Sequence, residues 1–139
     1  MTADPPNTVK QCCARLYESD IVSLLLGDSF HPGGVALTER LGHLINLTED
    51  SHVVDVASGR GTSALHLAQR FGCRVSGIDL SQQNVDRATA DAVRLGLADR
   101  VQFRVGDGEC LPLAAESVDA VICECAFCAF PDKSRAARK

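Results

Sequence analysis

The stretch that decides the fold is Val53–Ala64, with the sequence VVDVASGRGTSA. It begins with a short run rich in valine, which is typical of a buried β-strand. The next residues, Ala57–Gly61, form a turn rich in small residues, and Thr62–Phe71 has the composition of a helix. Gly59 and Gly61 have no Cβ, so the backbone there can adopt positive φ and approach a ligand closely. A strand, a glycine turn and a helix in this order predict the first unit of a nucleotide-binding α/β fold, because the helix N-terminus presents unpaired N–H groups to the turn.

Length, composition and charge narrow the class of protein. The chain has 139 residues, 45% hydrophobic and 23% charged, as expected of a single soluble domain. Its formal net charge of −4, without any block of Lys and Arg, gives no reason to expect a nucleic-acid partner. No apolar run is long enough to cross a bilayer, and the N-terminus lacks the apolar core of a signal peptide. We therefore expect the seven cysteines to be reduced thiols in a cytoplasmic protein.

Hydrophobic periodicity predicts the other elements of a single domain covering residues 1–139. A disordered start over residues 1–8 precedes a helical N-terminal part over residues 9–47. The predicted elements are helices Val9–Leu26, Val35–Leu47 and Gln82–Leu95, and strands Val53–Val56, Arg74–Ile78, Val101–Val105 and Ser117–Cys123. The last eight residues, DKSRAARK, are expected to be frayed. Strands joined by helices of this length pair in parallel, so residues 53–131 are predicted to form a Rossmann-like core.

The glycine turn fits two classes of ligand. Gly59, Gly61 and Ala64 match the dinucleotide-binding fingerprint, and Asp79 stands 20 residues after Gly59, where an acidic residue would bind ribose hydroxyls. This match indicates an NAD(P)-dependent oxidoreductase. Asp55 favours another ligand, because dinucleotide-binding folds usually have an apolar residue at that strand position.

Four motifs follow one another along the chain, at Asp55–Gly61, Gly77–Ser81, Gly106–Pro112 and Ser117–Ile122. Together they resemble the motifs of class I S-adenosylmethionine-dependent methyltransferases. Asp55–Gly61 is similar to the first motif of that family, which has a glycine where this chain has Ala57. Gly77–Ser81 resembles the second-strand motif, Gly106–Pro112 the loop after the third strand, and Ser117–Ile122 the entry to the fourth strand. The resemblance implies an enzyme that transfers the methyl group of S-adenosylmethionine to a small acceptor.

The same resemblance implies a cofactor site built from three of these motifs. Its residues are Asp55, Ala57, Ser58, Gly59, Gly61, Asp79, Leu80, Asp107, Gly108 and Glu109. In such a site the two glycines approach the methionine part, Asp79 holds the ribose hydroxyls, and Asp107 with Gly108 contacts the adenine. Carboxylates suit a ligand that carries amines and a sulfonium but no phosphate. We expect the methyl group of Ala57 to narrow the turn and lower the affinity for the cofactor.

The cysteines support a narrower resemblance. The segment CECAFC, residues 123–128, follows the fourth strand, where enzymes of this class place acceptor-binding groups. The overlapping segment CAFCAFPDK, residues 125–133, together with the glycine turn, is similar to the corresponding sequences of arsenite methyltransferases. Because thiolates select soft ions, Cys12, Cys13, Cys125 and Cys128 are candidate ligands of arsenite or another thiol-bound metalloid. The alternative is that Cys123 and Cys128 are small buried hydrophobic residues. No catalytic residue is identified, and methyl transfer to a nucleophilic atom needs chiefly positioning and an in-line approach.

The motifs end at about the fourth strand, whereas a complete member of the class has seven strands and a central fourth strand. We expect the chain to be the cofactor-binding part of such an enzyme, truncated after that strand. Either the free edge of the fourth strand pairs with a second copy in a homodimer, or the chain is a fragment of a longer enzyme. A non-catalytic module that binds the cofactor or a metalloid is the remaining alternative.

Overall fold

The computed structural model describes residues 10–12, 15, 33–114, 116–124 and 126–138. The predicted disordered start and most of the predicted helix Val9–Leu26 lie outside the described residues, as do Cys13 and Cys125. Residues 10–12 and 15 are helical, in agreement with the helix predicted there. None of the described helices is long and apolar enough to span a bilayer.

Within the described part of residues 33–138, four strands, four helices and one 3₁₀ turn follow one another, and the first seven elements are in the order that the sequence predicts. They are α1 (Gly34–Leu44), β1 (His52–Val56), α2 (Thr62–Phe71), β2 (Arg74–Asp79), α3 (Gln82–Arg94), β3 (Val101–Val105), β4 (Ala120–Ile122), a 3₁₀ turn (Phe127–Ala129) and α4 (Lys133–Ala136). The strands form one parallel sheet in the order β3-β2-β1-β4. The strand order reverses at β1, which lies between β2 and β4. In open parallel sheets, ligands bind at such a switch point, beyond the carboxyl ends of the strands.

Strand β1 is buried because helices and loops cover both faces of the sheet. Val53 packs with Ala64 and Leu67 of α2 on one face. Val54 packs on the other face with a second cluster that contains Ile78. Side chains alternate between the faces of a strand, so Asp55 lies on the same face of β1 as Val53. An acidic residue therefore occupies a buried position between the sheet and α2.

The helix ends follow the predicted local chemistry. Ser81 is the N-cap of α3, and its Oγ accepts a hydrogen bond from the N–H of Asn84 at 3.1 Å. Gly72 and Gly96 have φ angles of 71° and 70° and follow the ends of α2 and α3.

Helix α1 is shorter than predicted. It spans Gly34–Leu44 rather than Val35–Leu47. Asn46 has a φ angle of 54°, and the N–H of Leu47 donates to the carbonyl of Gly42 at 3.0 Å. A hydrogen bond of this kind, next to a residue with positive φ, is typical of a helix C-terminus. The helix therefore ends before the apolar periodicity of the sequence does.

Two predictions about the last part of the chain are wrong in detail. The fourth strand covers Ala120–Ile122 rather than Ser117–Cys123, because only these three residues pair with β1. The final segment is not frayed over its whole length, since α4 forms there. Its N-cap is Asp132, whose side chain accepts a hydrogen bond from the N–H of Arg135 at 2.9 Å.

Candidate functional site

The turn after β1 contains three residues in left-handed conformations. Ala57, Gly59 and Gly61 have φ angles of 58°, 54° and 79°. The N–H of Gly61 donates to the carbonyl of Ser58 at 2.9 Å and closes the turn. A left-handed conformation costs a residue with a Cβ about 1–2 kcal/mol, so Ala57 stores strain at this position.

Gly61 is required for packing inside the protein. A Cβ at this position would lie 2.5 Å from Cζ of Phe103 and 3.0 Å from Cβ of Ala88. A Cβ on Gly77 of β2 would overlap the same phenylalanine ring. The ring of Phe103 therefore fills the space beneath the turn, where side chains at both glycines would otherwise project. Nothing in the local sequence around Gly61 indicates this neighbour, because it comes from β3.

Asp79 ties the end of β2 to the glycine turn. Its Oδ2 accepts a hydrogen bond from the N–H of Gly59 at 2.8 Å. Its Oδ1 accepts from the N–H of Ser81 at 2.9 Å and from Nδ2 of Asn84 at 3.4 Å. The residue is only 8% exposed. A carboxylate offers about four acceptor positions, so Asp79 can still accept from a ligand hydroxyl beside Gly59.

Apolar surface adjoins this carboxylate. Leu80, directly after Asp79, is 40% exposed, and Val105 at the end of β3 is 45% exposed. Asp79 and Val105 pair in the register of β2 and β3, so the two apolar side chains belong to the same edge of the sheet. This edge can accommodate a flat apolar group next to a hydrogen-bond acceptor.

Asp55 is the innermost carboxylate of the site. It is 3% exposed, and its Oδ2 has no hydrogen-bond partner. Burial, followed by the charges of Glu124 and Asp79, raises the pKa of Asp55 to about 8, although a hydrogen bond from the backbone of Ala64 opposes the shift. At neutral pH the side chain therefore carries a proton and can donate as well as accept.

Glu124, which follows β4, is a site residue that the sequence motifs do not single out. Its two carboxylate oxygens accept from Oγ1 of Thr38 at 3.0 and 2.9 Å. Thr38 is fully buried, and its hydroxyl also lies 3.3 Å from the hydroxyl of Ser63. Helices α1 and α2 and the segment after β4 thus meet beside Asp55. An acidic residue just beyond a predicted parallel strand is the pattern that could have located Glu124, because carboxyl ends of parallel strands converge.

The loop after β3 is held by a lysine from the N-terminal helix. Nζ of Lys10 lies 2.8 Å from Oδ2 of Asp107 and 2.5 Å from Oε2 of Glu109. Burial by itself lowers the pKa of Lys10, but its hydrogen bonds to these two carboxylates outweigh that effect and raise it. Burial likewise opposes ionisation of Asp107, yet hydrogen bonds from Lys10 and from the backbone of Glu109 lower the pKa of Asp107. Both shifts favour the charged forms of Lys10 and Asp107 at neutral pH.

The same loop packs against the segment that follows β4. A Cβ on Gly108 would lie 2.7 Å from Cζ of Phe130 and 2.8 Å from Cγ1 of Val56. Oε1 of Glu109 accepts a hydrogen bond from the N–H of Asp132 at 2.7 Å. Glu109 is 6% exposed, and both of its oxygens bind groups of the protein. The structure thus places Glu109 in the support of the loop, next to Asp107.

The described cysteines do not form a metal site. Cys12 and Cys128 are exposed, and Cys123 is half-buried. Burial raises the pKa of Cys123 to about 11, so this residue is a thiol at neutral pH. Within the described residues, no group of three His, Cys, Asp or Glu side chains could hold a metal ion. The other two candidate ligands, Cys13 and Cys125, fall outside that part of the chain.

A family model described as a methyltransferase domain matches residues 53–139 of this chain. The match begins within β1 and covers the candidate cofactor-site residues described above except Lys10 and Thr38. It therefore includes the glycine turn, Asp79 and the loop that carries Asp107.

Curated relatives resemble this chain over most of its length. This chain is 28% identical over 135 residues to 27-O-demethylrifamycin SV methyltransferase of Amycolatopsis mediterranei. The aligned region covers 87% of this chain and 48% of that protein. The chain is 32% identical over 104 residues to an uncharacterized protein of Haemophilus influenzae, covering 75% of this chain and 41% of that protein. The chain spans less than half the length of these relatives.

Solved structures share the fold. Geranyl diphosphate C-methyltransferase from Streptomyces coelicolor, solved with Mg²⁺, geranyl diphosphate and S-adenosyl-L-homocysteine, is similar at a TM-score of 0.69 and 25% identity, covering 86% of this chain and 55% of that one. The cyclase SpnF is similar at a TM-score of 0.72 and 26% identity, covering 81% of this chain and 47% of that one.

Proposed function

This chain belongs to the methyltransferase domain family, and we propose that it is the cofactor-binding part of an S-adenosylmethionine-dependent methyltransferase acting on a small acceptor. The observation that carries the proposal is the contact between Asp79 and the N–H of Gly59 at 2.8 Å. This contact places a buried carboxylate beside the glycine turn, at the switch point of the sheet. The family match favours this function over the NAD(P)-dependent oxidoreductase that the fingerprint also allowed.

The residues present fit the chemical groups of S-adenosylmethionine. Asp79 would accept hydrogen bonds from the ribose hydroxyls, with Gly59 and Gly61 next to the methionine part. Asp107 would accept from the adenine amino group, and the exposed side chain of Leu80 would pack against the base. The site provides acceptors and apolar surface where the ligand has donors and a flat ring.

Asp55 provides a second test of fit, at the amino-acid end of the cofactor. Its Oδ2 is buried without a partner, and the charge of Glu124 acts on it. A buried acceptor left unpaired is costly unless a ligand donates to it. The ammonium group of the methionine part is a donor of this kind, and its positive charge would favour ionisation of Asp55.

The role of this chain in the reaction is to bind and orient. Bound S-adenosylmethionine supplies a methyl group on a positively charged sulfur. The turn after β1 and the carboxylates at the strand ends would fix the direction of that methyl group, and the segment after β4 would face the acceptor. For an acceptor that is already nucleophilic, positioning provides most of the acceleration.

The finer proposal concerns the acceptor, for which a thiol-bound metalloid such as arsenite is one candidate. Cys123 and Cys128 both belong to the segment after β4, where the acceptor would bind. The relatives described above are named for rifamycin and geranyl diphosphate. A methyl-transfer assay with labelled cofactor should therefore compare arsenite with small organic acceptors. Activity on organic acceptors alone would refute the proposal that the acceptor is a metalloid.

Calorimetric titration with S-adenosylmethionine and with NAD tests the cofactor. We expect saturable binding of the first and none of the second, and Asp79→Ala should weaken that binding. Binding of NAD, or of neither compound, would overturn the proposal.

A second candidate function is cofactor binding without methyl transfer. The similarity to the cyclase SpnF favours it, because that structure shares the fold but is named for another reaction. Saturable binding of S-adenosylmethionine with no transfer of labelled methyl to any acceptor tested would support this alternative.

We also propose that β4 pairs with a second copy of the chain. In the described sheet β4 is an edge strand, and Val121 is 50% exposed. Exposed strand edges promote association. Sedimentation at high protein concentration should show a dimer, and a monomer would contradict this proposal.

A further inference from the structure

We propose that Lys10 is a positioning residue for adenine recognition, so that the N-terminal helix contributes to the selectivity of the cofactor site. The inference rests on the proposed function, in which Asp107 accepts a hydrogen bond from the adenine amino group. Lys10 is not in the region matched by the family model, which begins at residue 53.

The ammonium group of Lys10 is buried between two carboxylates. Lys10 is 8% exposed and Glu109 is 6% exposed, whereas Asp107 is about one-third exposed. Nζ donates to Oδ2 of Asp107 at 2.8 Å and pairs with Oε2 of Glu109 at 2.5 Å. Because Nζ lies between the two carboxylates, its positive charge offsets the repulsion that their oxygens would otherwise exert on each other. The ammonium group and the two carboxylates together carry a formal net negative charge. This charge suits the adenine amino group, which donates hydrogen bonds.

Lys10 also fixes the orientation of the Asp107 carboxylate. Oδ1 of Asp107 accepts from the N–H of Glu109 at 2.9 Å, while Oδ2 binds Lys10. These two hydrogen bonds fix the plane of the Asp107 carboxylate. The remaining acceptor positions of its two oxygens therefore point in fixed directions. Oε1 of Glu109 is held in turn by the N–H of Asp132 at 2.7 Å. Removing Lys10 would release one oxygen of Asp107 and leave the charge of Glu109 buried without its cation.

The test compares two ligands that differ only at the adenine amino group. They are S-adenosylhomocysteine and its analogue with hydrogen in place of the 6-amino group, titrated by calorimetry. In Lys10→Met we expect the affinity for S-adenosylhomocysteine to fall about tenfold and that for the analogue by less than about threefold, as expected for loss of one hydrogen bond to a charged group. The ratio of the two affinities, which measures the preference for the amino group, therefore decreases. Lys10→Arg should restore part of it.

Controls separate this role from a general effect on stability. Arg94→Met removes an exposed positive charge that pairs with Asp91 on the same helix, and should leave both affinities unchanged. If Lys10→Met does not fold by circular dichroism, the double variant Lys10→Met/Glu109→Gln removes one charge of each sign and should fold with the same loss of preference.

Three outcomes would overturn the inference: unchanged affinities, an equal loss for both ligands, or tighter binding of S-adenosylhomocysteine. The last would mean that Lys10 competes with the adenine. Failure of the wild-type protein to bind either ligand would instead refute the proposed function.

Discussion

Replacing Asp55 by asparagine should change how the stability of the protein depends on pH. Asp55 is buried beside Glu124 and Asp79, and its pKa is raised from 3.8 to about 8, mainly by burial and then by those two charges. Asparagine has the same shape and cannot ionise. Its amide can donate where the protonated carboxyl of Asp55 donates at neutral pH.

The magnitude follows from the two pKa values. Between pH 4 and pH 8 the folded state keeps a proton on Asp55 that the unfolded chain releases. The free energy of unfolding therefore decreases as the pH rises through this range, by about 1.4 kcal/mol per pH unit. At pH 7 the accumulated loss is about 4 kcal/mol. The Asp55→Asn variant has no carboxyl group at this position and does not lose this free energy. Its free energy of unfolding relative to the wild type should therefore increase from pH 5 to pH 8.

Urea unfolding at pH 5, 6, 7 and 8 measures this difference directly. A matched control is Asp99→Asn, which removes an exposed carboxylate from the turn before β3 and should run parallel to the wild type. Equal slopes for Asp55→Asn and the wild type would refute the reasoning, because Asp55 would then have the same pKa in both states.

Three further substitutions test the turn and its neighbours. Ala57→Gly should raise the free energy of unfolding by about 0.5–1 kcal/mol, because glycine relieves the left-handed strain but gains entropy in the unfolded chain; lower stability in urea would contradict this. Gly61→Ala should lower that free energy by about 2 kcal/mol, since its methyl group would overlap the ring of Phe103; recovery in a Phe103→Leu background checks the cause. Asp79→Asn should weaken S-adenosylhomocysteine binding by about 1–3 kcal/mol in calorimetry, and an unchanged affinity would remove Asp79 from the site.

Local patterns determine the elements that build the core. Strand β3 and helix α2 have the predicted bounds, and Gly72 and Gly96 end helices as expected. Side-chain periodicity and the conformational freedom of glycine act over a few residues, so the sequence alone expresses them. The proximity of Asp79 to Gly59 also follows, because adjacent parallel strands bring their carboxyl ends to one edge.

Only the tertiary structure decides which distant groups share the site. Lys10 reaches Asp107 across 97 residues, and Thr38 reaches Glu124 across 86. Phe103 occupies the space that makes Gly61 necessary. Such contacts depend on how helices and loops pack against the sheet, and no period or spacing along the chain expresses that packing. The local sequence specifies the turn and its strands, whereas the charge and support of the site arise from the way the chain packs around them.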